Sequence, residues 1–446
     1  MTAGFDDFLS ELRTQLAHSA EVASRESARP ASRAAHRPWQ VRPRIALAFA
    51  VGLLAPAIVV GAVLISSFSG SGLEPSPRTN ELLPGAAAGG SPAYVQPLVP
   101  DVAASPGAPS SASAEVSYSL RAVAAGSSTN AWAVGSRNVA DGRAAAHAGS
   151  FILQWNGASW RETASPDVGP LSAVAVVSNG EAWALNGAAG ALLHYSGGQW
   201  TAVTSGVPSG CTLSGLTVVG GTDVWAVGSQ PAGSLAAPLA LRWNGSSWQA
   251  ADLSALVSAG GSLAAVSGSS ATDVWAVGAD AAGVQGLVLH YDGATWAPVT
   301  NADAGAAAWS GLHAVAAPSP TDVWTGGDAL QHWDGTQWSE SPSPAGRLSG
   351  PMSVASPSDL WAPADGGTSV LHWDGETWQA ASATEMGLPA DEDLGIQAIA
   401  AVPGGGVWAV GTIYDAGGRT QRPLIVRFDG SGWRVVVDAA QVYGEE

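Results

Sequence analysis

The sequence predicts an all-β fold: a seven-bladed β-propeller with four antiparallel strands per blade, preceded by one transmembrane helix and a disordered stalk. Three observations predict it. Two tryptophan columns recur seven times from Leu120 onward, an Asp-Gly or Asn-Gly turn precedes nearly every second Trp, and a single uncharged run occupies Ile45 to Phe68. Repeats of about 45 residues carrying four short strands fall in the propeller range.

Each copy opens with a short apolar strand: LRAV at Leu120, LSAV at Leu171, LAAV at Leu263, LHAV at Leu312, IQAI at Ile396. A turn rich in Ser, Gly and Asp leads to a strand holding the first Trp, as in DVWAVG at Asp223 and Asp273. A third strand ends in an aromatic residue and a turn, and the fourth begins with the second Trp. The first column is Trp132, Trp183, Trp225, Trp275, Trp324, Trp361 and Trp408; the second is Trp160, Trp200, Trp248, Trp296, Trp338, Trp378 and Trp433. Asn156, Asn244, Asp292, Asp334, Asp374 and Asp429, each followed by Gly, supply residues that tolerate positive φ at a tight turn, and only Ser196-Gly197 departs from this. The five-residue step from Trp155, Tyr195, Trp243, Tyr291, Trp333, Trp373 or Phe428 to the second Trp puts both rings on one face of the hairpin. Ala-rich first strands suit the crowded axis, and Trp-rich later strands suit the wide rim. A β-solenoid would need near-constant rungs, which the unequal segments between the Trp columns exclude.

The stretch LHAVAAPSPTDVWTGGDALQHWDGTQW, Leu312 to Trp338, resembles a kelch repeat in its apolar strand, its double Gly and its aromatic spaced before a Trp. Gly326-Gly327 gives the double Gly once; other copies have a single Gly, as at Gly228 and Gly278, or none, as at Pro363. The D-G-x-x-W hairpin is similar to the Asp-box hairpin of sialidase-type propellers but lacks its upstream Ser. The resemblance covers roughly residues 117–437, implies propeller architecture, and transfers no catalytic residue.

Spacing separates the two faces of the disc. The central apolar residue of the first strand lies nine positions before the first Trp in each copy, as from Val123 to Trp132 or Ile399 to Trp408. The interval from the first Trp to the hairpin aromatic instead runs from nine, at Trp324 to Trp333, to twenty-three, at Trp132 to Trp155. In an up-and-down blade the connections between strands two and three share a face with those between blades, so the variable connections gather on one side. Binding on a rigid scaffold usually resides in such connections, and kelch-like propellers, by resemblance, bind partners through them. The longest are expected to hold Arg137, Asp141, Arg143 and His147 in the first copy, and Tyr414, Asp415, Arg419 and Arg422 in the seventh. Ring closure makes these copies neighbours, so their Arg residues are candidates for one basic patch on an acidic disc.

All eighteen cationic residues are Arg, against thirty-six acids, for a net charge of −18. Residues 1–44 hold seven Arg and five acids, while everything after Phe68 holds eleven Arg and thirty-one acids. The acidic part repels nucleic acid and anionic membranes, so neither is an expected partner of the disc. As a helix, Ile45 to Phe68 would span about 36 Å, enough to cross a roughly 30 Å hydrocarbon core. Arg29, Arg33, Arg37, Arg42 and Arg44 precede it, so the positive-inside rule keeps the N-terminus cytoplasmic and exports the rest. The length of the leader and of the apolar run favours an anchor over a cleaved signal. Residues 69–115, rich in Pro, Gly, Ala and Ser, read as a flexible stalk before a propeller at 116–440. Within the leader, Phe5, Phe8, Leu9, Leu12 and Leu16 fall at helical spacing, which would suit a cytoplasmic partner protein at residues 4–18.

No catalytic, cofactor or metal constellation is expected. A single cysteine, Cys211, excludes a disulfide framework and reads as an inert thiol in a variable loop. His194, His290, His332 and His372 occupy one repeat column, which repeat symmetry spreads around a ring instead of converging on a metal. Asp391, Glu392 and Asp393 lack a full oxygen-ligand pattern for calcium. The expectation is a non-catalytic binding or sensing protein, anchored by one helix, recognising an extracytoplasmic protein or glycan. The alternative is a cell-surface carbohydrate-active enzyme, which would show convergent acids or metal ligands at the mouth of the central channel.

Overall fold

A computed structural model describes residues 115–140, 147–178, 180–253, 260–299, 309–388, 393–414 and 421–437. The leader stripe, the segment Ile45 to Phe68 and the stalk up to residue 114 lie outside them. Among the described residues no helix is long and apolar enough to cross a membrane.

The hairpin turns fold each copy back on itself through a side chain as much as through backbone freedom. Asn156 Oδ1 accepts the N–H groups of Ala158 and Ser159, both at 3.0 Å, and Asp334 Oδ1 accepts those of Thr336 and Gln337 at 2.8 Å. Only the following glycine turns left-handed, at φ 96° for Gly157 and 90° for Gly335. Asp and Asn are therefore used as acceptors of an Asx-type turn, not for tolerance of positive φ. Blade 2 solves the problem differently: Ser196 pairs with Gln199 across Gly197 and Gly198, at φ 62° and 87°. That two-residue turn, with both central residues left-handed, needs no carboxylate.

Seven four-stranded antiparallel sheets result, each with its strands in chain order, first to fourth. Blade 1 starts at Glu115–Ser127, one residue before the expected boundary, and blade 7 ends at Trp433–Val437. The seven first strands stand around the axis and line a central channel of about 570 Å³. In every hairpin the aromatic residue and the second Trp are direct cross-strand partners, as at Trp155 and Trp160 or Phe428 and Trp433.

A third ring completes each set and comes from the preceding blade. Trp132 meets Trp200 of blade 2 edge-on, with ring centroids 5.1 Å apart and planes at 86°. The contact repeats as Trp183–Trp248, Trp225–Trp296, Trp275–Trp338, Trp324–Trp378 and Trp361–Trp433, with centroids 5.0 to 6.0 Å apart. Trp408 of blade 7 then meets Trp160 of blade 1 at 5.1 Å, and the ring is closed. Edge-to-face packing is the favoured geometry for such rings and adds to the area they bury. Seven apolar clusters fill the seven inter-blade spaces; the one at the seam joins Leu120, Phe151 and Leu153 to Trp408, Val410 and Ile425. Among the described residues, closure uses this packing and no exchanged strand, since blades 1 and 7 each draw their four strands from one stretch of the chain.

The glycine that ends the W-A-V-G strand has its own cause. The first strand bulges where it crosses the second, with register shifts between Leu263 and Ala265 and between Ile396 and Ala398. A Cβ on Gly278 would lie 2.0 Å from the carbonyl oxygen of Ser262, and one on Gly411 2.0 Å from that of Gly395. Backbone approach excludes any side chain there.

Candidate binding surface

Two neighbouring blades run past the disc on the variable face. In blade 1 the strands Asn130–Ala140 and His147–Trp155 pair from Ala131 and Trp155 out to Val139 and His147. Arg137 thus sits within a strand, opposite Tyr118 and Gly149, and His147 opens the next strand. In blade 7, Val407–Tyr414 and Gln421–Phe428 pair out to Tyr414 and Gln421, with Arg422 opposite Ile413. The long intervals are therefore lengthened strands, not long loops, which corrects the expectation for Arg137, His147, Tyr414 and Arg422. Ladder hydrogen bonds hold such ridges more firmly than a loop would be held. Asp141, Arg143, Asp415 and Arg419, in the connections themselves, lie outside the described residues. Arg137 is exposed and makes no ion pair among the described residues. Beneath it the Tyr118 ring rests 4.9 Å from that of Phe151, and the hydroxyls of Ser119 and Ser136 share a buried hydrogen bond of 2.8 Å. The first strand of blade 1 packs against three strands of blade 7, so the two ridges are neighbours on one face, as expected from ring closure.

Blades 3 and 4 add a feature that the sequence reading missed. Asp223–Ala232 and Leu235–Trp243 form an overlong hairpin closed by Gly233 and Ser234, with Gly233 at φ 65°. Leu235 at its tip is 52% exposed, and Val284 on the corresponding connection of blade 4 is 69% exposed. A Cβ on Gly260 would lie within 3.5 Å of both Leu235 and Ala281, so the two tips are adjacent. The signal was available: apolar residues flank a Gly-Ser turn in PAGSLAAPLA. Blades 5 and 6 are lower on this face, where Arg347 pairs with Asp328 at 2.7 Å and Asp365 accepts the Gly346 N–H at 2.7 Å.

The channel offers little chemistry. Its walls are chiefly Ala, Val and Ser from the first strands, with Arg121 and His313 as the ionisable lining residues. The His313 ring nitrogens lie 2.8 and 3.0 Å from the carbonyl oxygens of Gly311 and Leu348. No carboxylate is among the described lining residues, whereas glycoside hydrolysis ordinarily requires two.

On the opposite face the histidine column is accounted for inside each blade. Trp324 Nε1 donates to Asp322 at 2.9 Å, and His332 reaches the same carboxylate at 2.9 Å while stacking on Trp324 with centroids 4.1 Å apart. Asp273 serves Trp275 and His290 in the same way, both at 2.9 Å, and Asp359 serves Trp361 and His372. In blade 2 Glu181 meets His194 at 3.1 Å; in blade 3 Asp223 takes Arg242 through Nε and Nη2 at 2.8 and 2.9 Å. Burial alone would push the Asp273 carboxyl up, but hydrogen bonds from His290, Ser269 and Trp275 outweigh it and hold the group below its ordinary range. The missed signal here is an acid two residues before the first Trp, the partner of the residue just before the hairpin aromatic.

Cys211 is the last residue of the variable connection between Val203 and Thr212, as expected. It is buried between blades 2 and 3, where burial pushes its thiol up. Asp391 and Glu392 lie outside the described residues, and Asp393 begins the strand Asp393–Ala401, opposite Tyr414.

No protein-family model matches the chain, and no curated protein matches it. The kelch-like and Asp-box-like resemblance accordingly extends to propeller architecture and no further. Among solved structures, YCF48 bound to D1 peptide is similar at 17% identity and a TM-score of 0.45, covering 67% of this chain and 93% of that one. A catalytically inactive virginiamycin B lyase from Staphylococcus aureus with quinupristin is similar at 12% identity and a TM-score of 0.48, covering 67% and 96%. The extracellular domain of a one-component system from B. thetaiotaomicron is similar at 10% identity and a TM-score of 0.46, covering 72% and 46%. At these identities the likeness is one of architecture.

Proposed function

We propose that this protein is a non-catalytic binding or sensing module, held at the outer face of a membrane by Ile45 to Phe68, that recognises an extracytoplasmic protein or glycan through the variable face of its propeller. One observation carries the reading: the two faces divide their labour. On one, the carboxylate two residues before the first Trp in each of blades 2 to 6 is occupied within its own blade by His or Arg. On the other, strands overrun the disc and present exposed Arg137 and Leu235, and the turn between Asp280 and Gly286 exposes Val284. Exposed apolar and cationic groups on rigid supports suit recognition, and the small side chains of the channel support binding over carbohydrate chemistry.

Site-specific photo-crosslinkers on intact cells test this directly. A crosslinker in place of Arg137 or Leu235 in the full-length protein should capture a discrete extracytoplasmic partner or glycan, while one in place of exposed Thr336 on the opposite face should not. Equal capture from both faces, or capture from Thr336 alone, would assign recognition elsewhere.

A further inference from the structure

Blades 2 to 6 share one internal device, and blade 7 has kept only half of it. In blades 3 to 6 the residue two before the first Trp is Asp223, Asp273, Asp322 or Asp359, and each carboxylate receives that Trp's indole N–H. A basic side chain from the third strand closes on the same carboxylate, most fully at Arg242, whose guanidinium also lies 5.2 Å above the Trp225 ring. Blade 1 has dropped both partners, with Asn130 and Gln154 at the two positions. Blade 7 has dropped only the acid. Gly406 stands where the carboxylate belongs, and Arg427 stands where Arg242 does.

The consequences are visible around Trp408. Arg427 lies 4.5 Å above its ring, Arg427 Nη1 is buried with no hydrogen-bond partner among the described residues, and the Trp408 indole N–H is likewise unpartnered. In blade 3 the Trp225 indole N–H and Arg242 Nε and Nη2 grip Asp223, while Arg242 Nη1 donates to the Tyr291 hydroxyl at 3.3 Å; the counterpart of Tyr291 at the seam is Trp155, which offers no such acceptor. Burial and the nearby Arg434 push the Arg427 guanidinium down, with Asp429 opposing. Asp429 is engaged elsewhere, accepting from Ser431 N at 3.0 Å and approaching Arg434 at 3.7 Å. Position 406 does not accommodate a side chain either: Gly406 has φ 87°, and a Cβ would lie 2.6 Å from the carbonyl oxygen of Phe428. A cavity of about 450 Å³ opens at this point between blades 7 and 1, walled by Trp155, Trp408, Arg427, Arg434, Val435 and Val436.

We propose that this seam cavity is a carboxylate-binding site, in which Arg427, Trp408 and Arg434 hold an external carboxylate that supplies the acceptor missing at Arg427 Nη1 and the Trp408 indole. A buried N–H donor such as Arg427 Nη1 is costly without an acceptor, and a carboxylate is an acceptor that a guanidinium favours. The aromatic and valine walls leave room for an apolar stem behind the carboxylate, as in a peptide ending in an apolar residue. The site lies on the opposite face from the ridges of Arg137 and is independent of the function proposed for them.

Calorimetric titration of the full-length protein with N-acetylphenylalanine, its amide and acetate tests the assignment. The free acid should bind saturably, and the amide should bind at least about tenfold more weakly, as loss of a charge-assisted pair implies. Arg427→Gln, which installs the residue native to blade 1 at Gln154, should weaken the acid by a similar factor without lowering the melting temperature, because it removes a buried donor, Nη1, that has no acceptor. Acetate binding as tightly as the acid would identify small free carboxylates as the source, and dependence on the phenylalanine stem would identify peptide ends. Equal binding of acid and amide, or unchanged binding by Arg427→Gln, would overturn the proposal. A melting temperature lowered by Arg427→Gln with no saturable acid binding to the parent protein would leave Arg427 as a stacking residue of the core and overturn it as well.

Discussion

Asp334 shows how much one exposed side chain does in this molecule. Its carboxylate caps a turn through the Thr336 hydroxyl and the N–H groups of Gln337 and Thr336, which hold it at about 2, below the usual carboxylate range. Asp292, Asp374 and Asp429 are lowered by the same kind of bonds in their own turns. A group whose folded value is depressed contributes stability above its unfolded value, near 4, and loses it as pH falls through its folded value. Stability should therefore drop between about pH 4 and about pH 2. Changing the four residues together to Asn, already native at Asn156 and Asn244, should keep the turns and flatten that drop. Urea unfolding midpoints measured from pH 5 to pH 2 check this; an unchanged slope would place the acid sensitivity in other carboxylates.

At the scale of the element, the blade is built around a conflict between its first two strands. The bulge in the first strand brings a carbonyl oxygen into the space a side chain on the second would need, so the chain places Gly135, Gly228, Gly278 and Gly411 there. None of the four is left-handed, which means that the requirement comes from crowding and not from backbone angle. Gly278→Ala should consequently destabilise by at least the roughly 1–3 kcal/mol typical of overpacking. The same change at Gly404, which is left-handed but has nothing within 4 Å of its Cβ, should cost only the backbone strain of that conformation, on the order of 1–3 kcal/mol. The two mechanisms separate in crystal structures of the variants. Crowding should displace the Ser262 carbonyl, whereas strain should rotate only residue 404 and its neighbours.

For the whole molecule, the seam between blades 7 and 1 is the place where a ring held by packing alone could open. Its aromatic contact, Trp408 against Trp160, matches the six internal ones in distance and angle. Trp160 and Trp296 are each 7% exposed and occupy equivalent positions, one at the seam and one inside the ring. Replacing either by Ala should therefore cost a similar 3–5 kcal/mol or so, the usual penalty for removing a buried aromatic ring. A much smaller loss for Trp160→Ala, read from denaturant midpoints, would mean that the seam is already loose and that the ring is not uniformly closed.

Repetition is why so much was legible beforehand. Seven copies of two Trp columns, a constant five-residue hairpin step and a constant nine-residue step from the first strand to the first Trp determined blade number, strand number and which faces vary, because each is set by contacts within one short segment. Other features depend on which segments meet in three dimensions. The edge-on Trp from the neighbouring blade and the carbonyl behind Gly278 lie on different strands, and their proximity follows from how the strands and blades pack. The strand extensions at Arg137 and Arg422 look the same as loops in sequence, since spacing counts residues without saying whether they pair. Arg427, whose Nη1 lacks a partner among the described residues, was likewise present in the sequence as one residue of the histidine column. Its meaning appeared only when the fold matched blade 7 to blade 3 and put Gly406 and Trp155 at the places of Asp223 and Tyr291, because a missing partner can be seen only where the partner should have been.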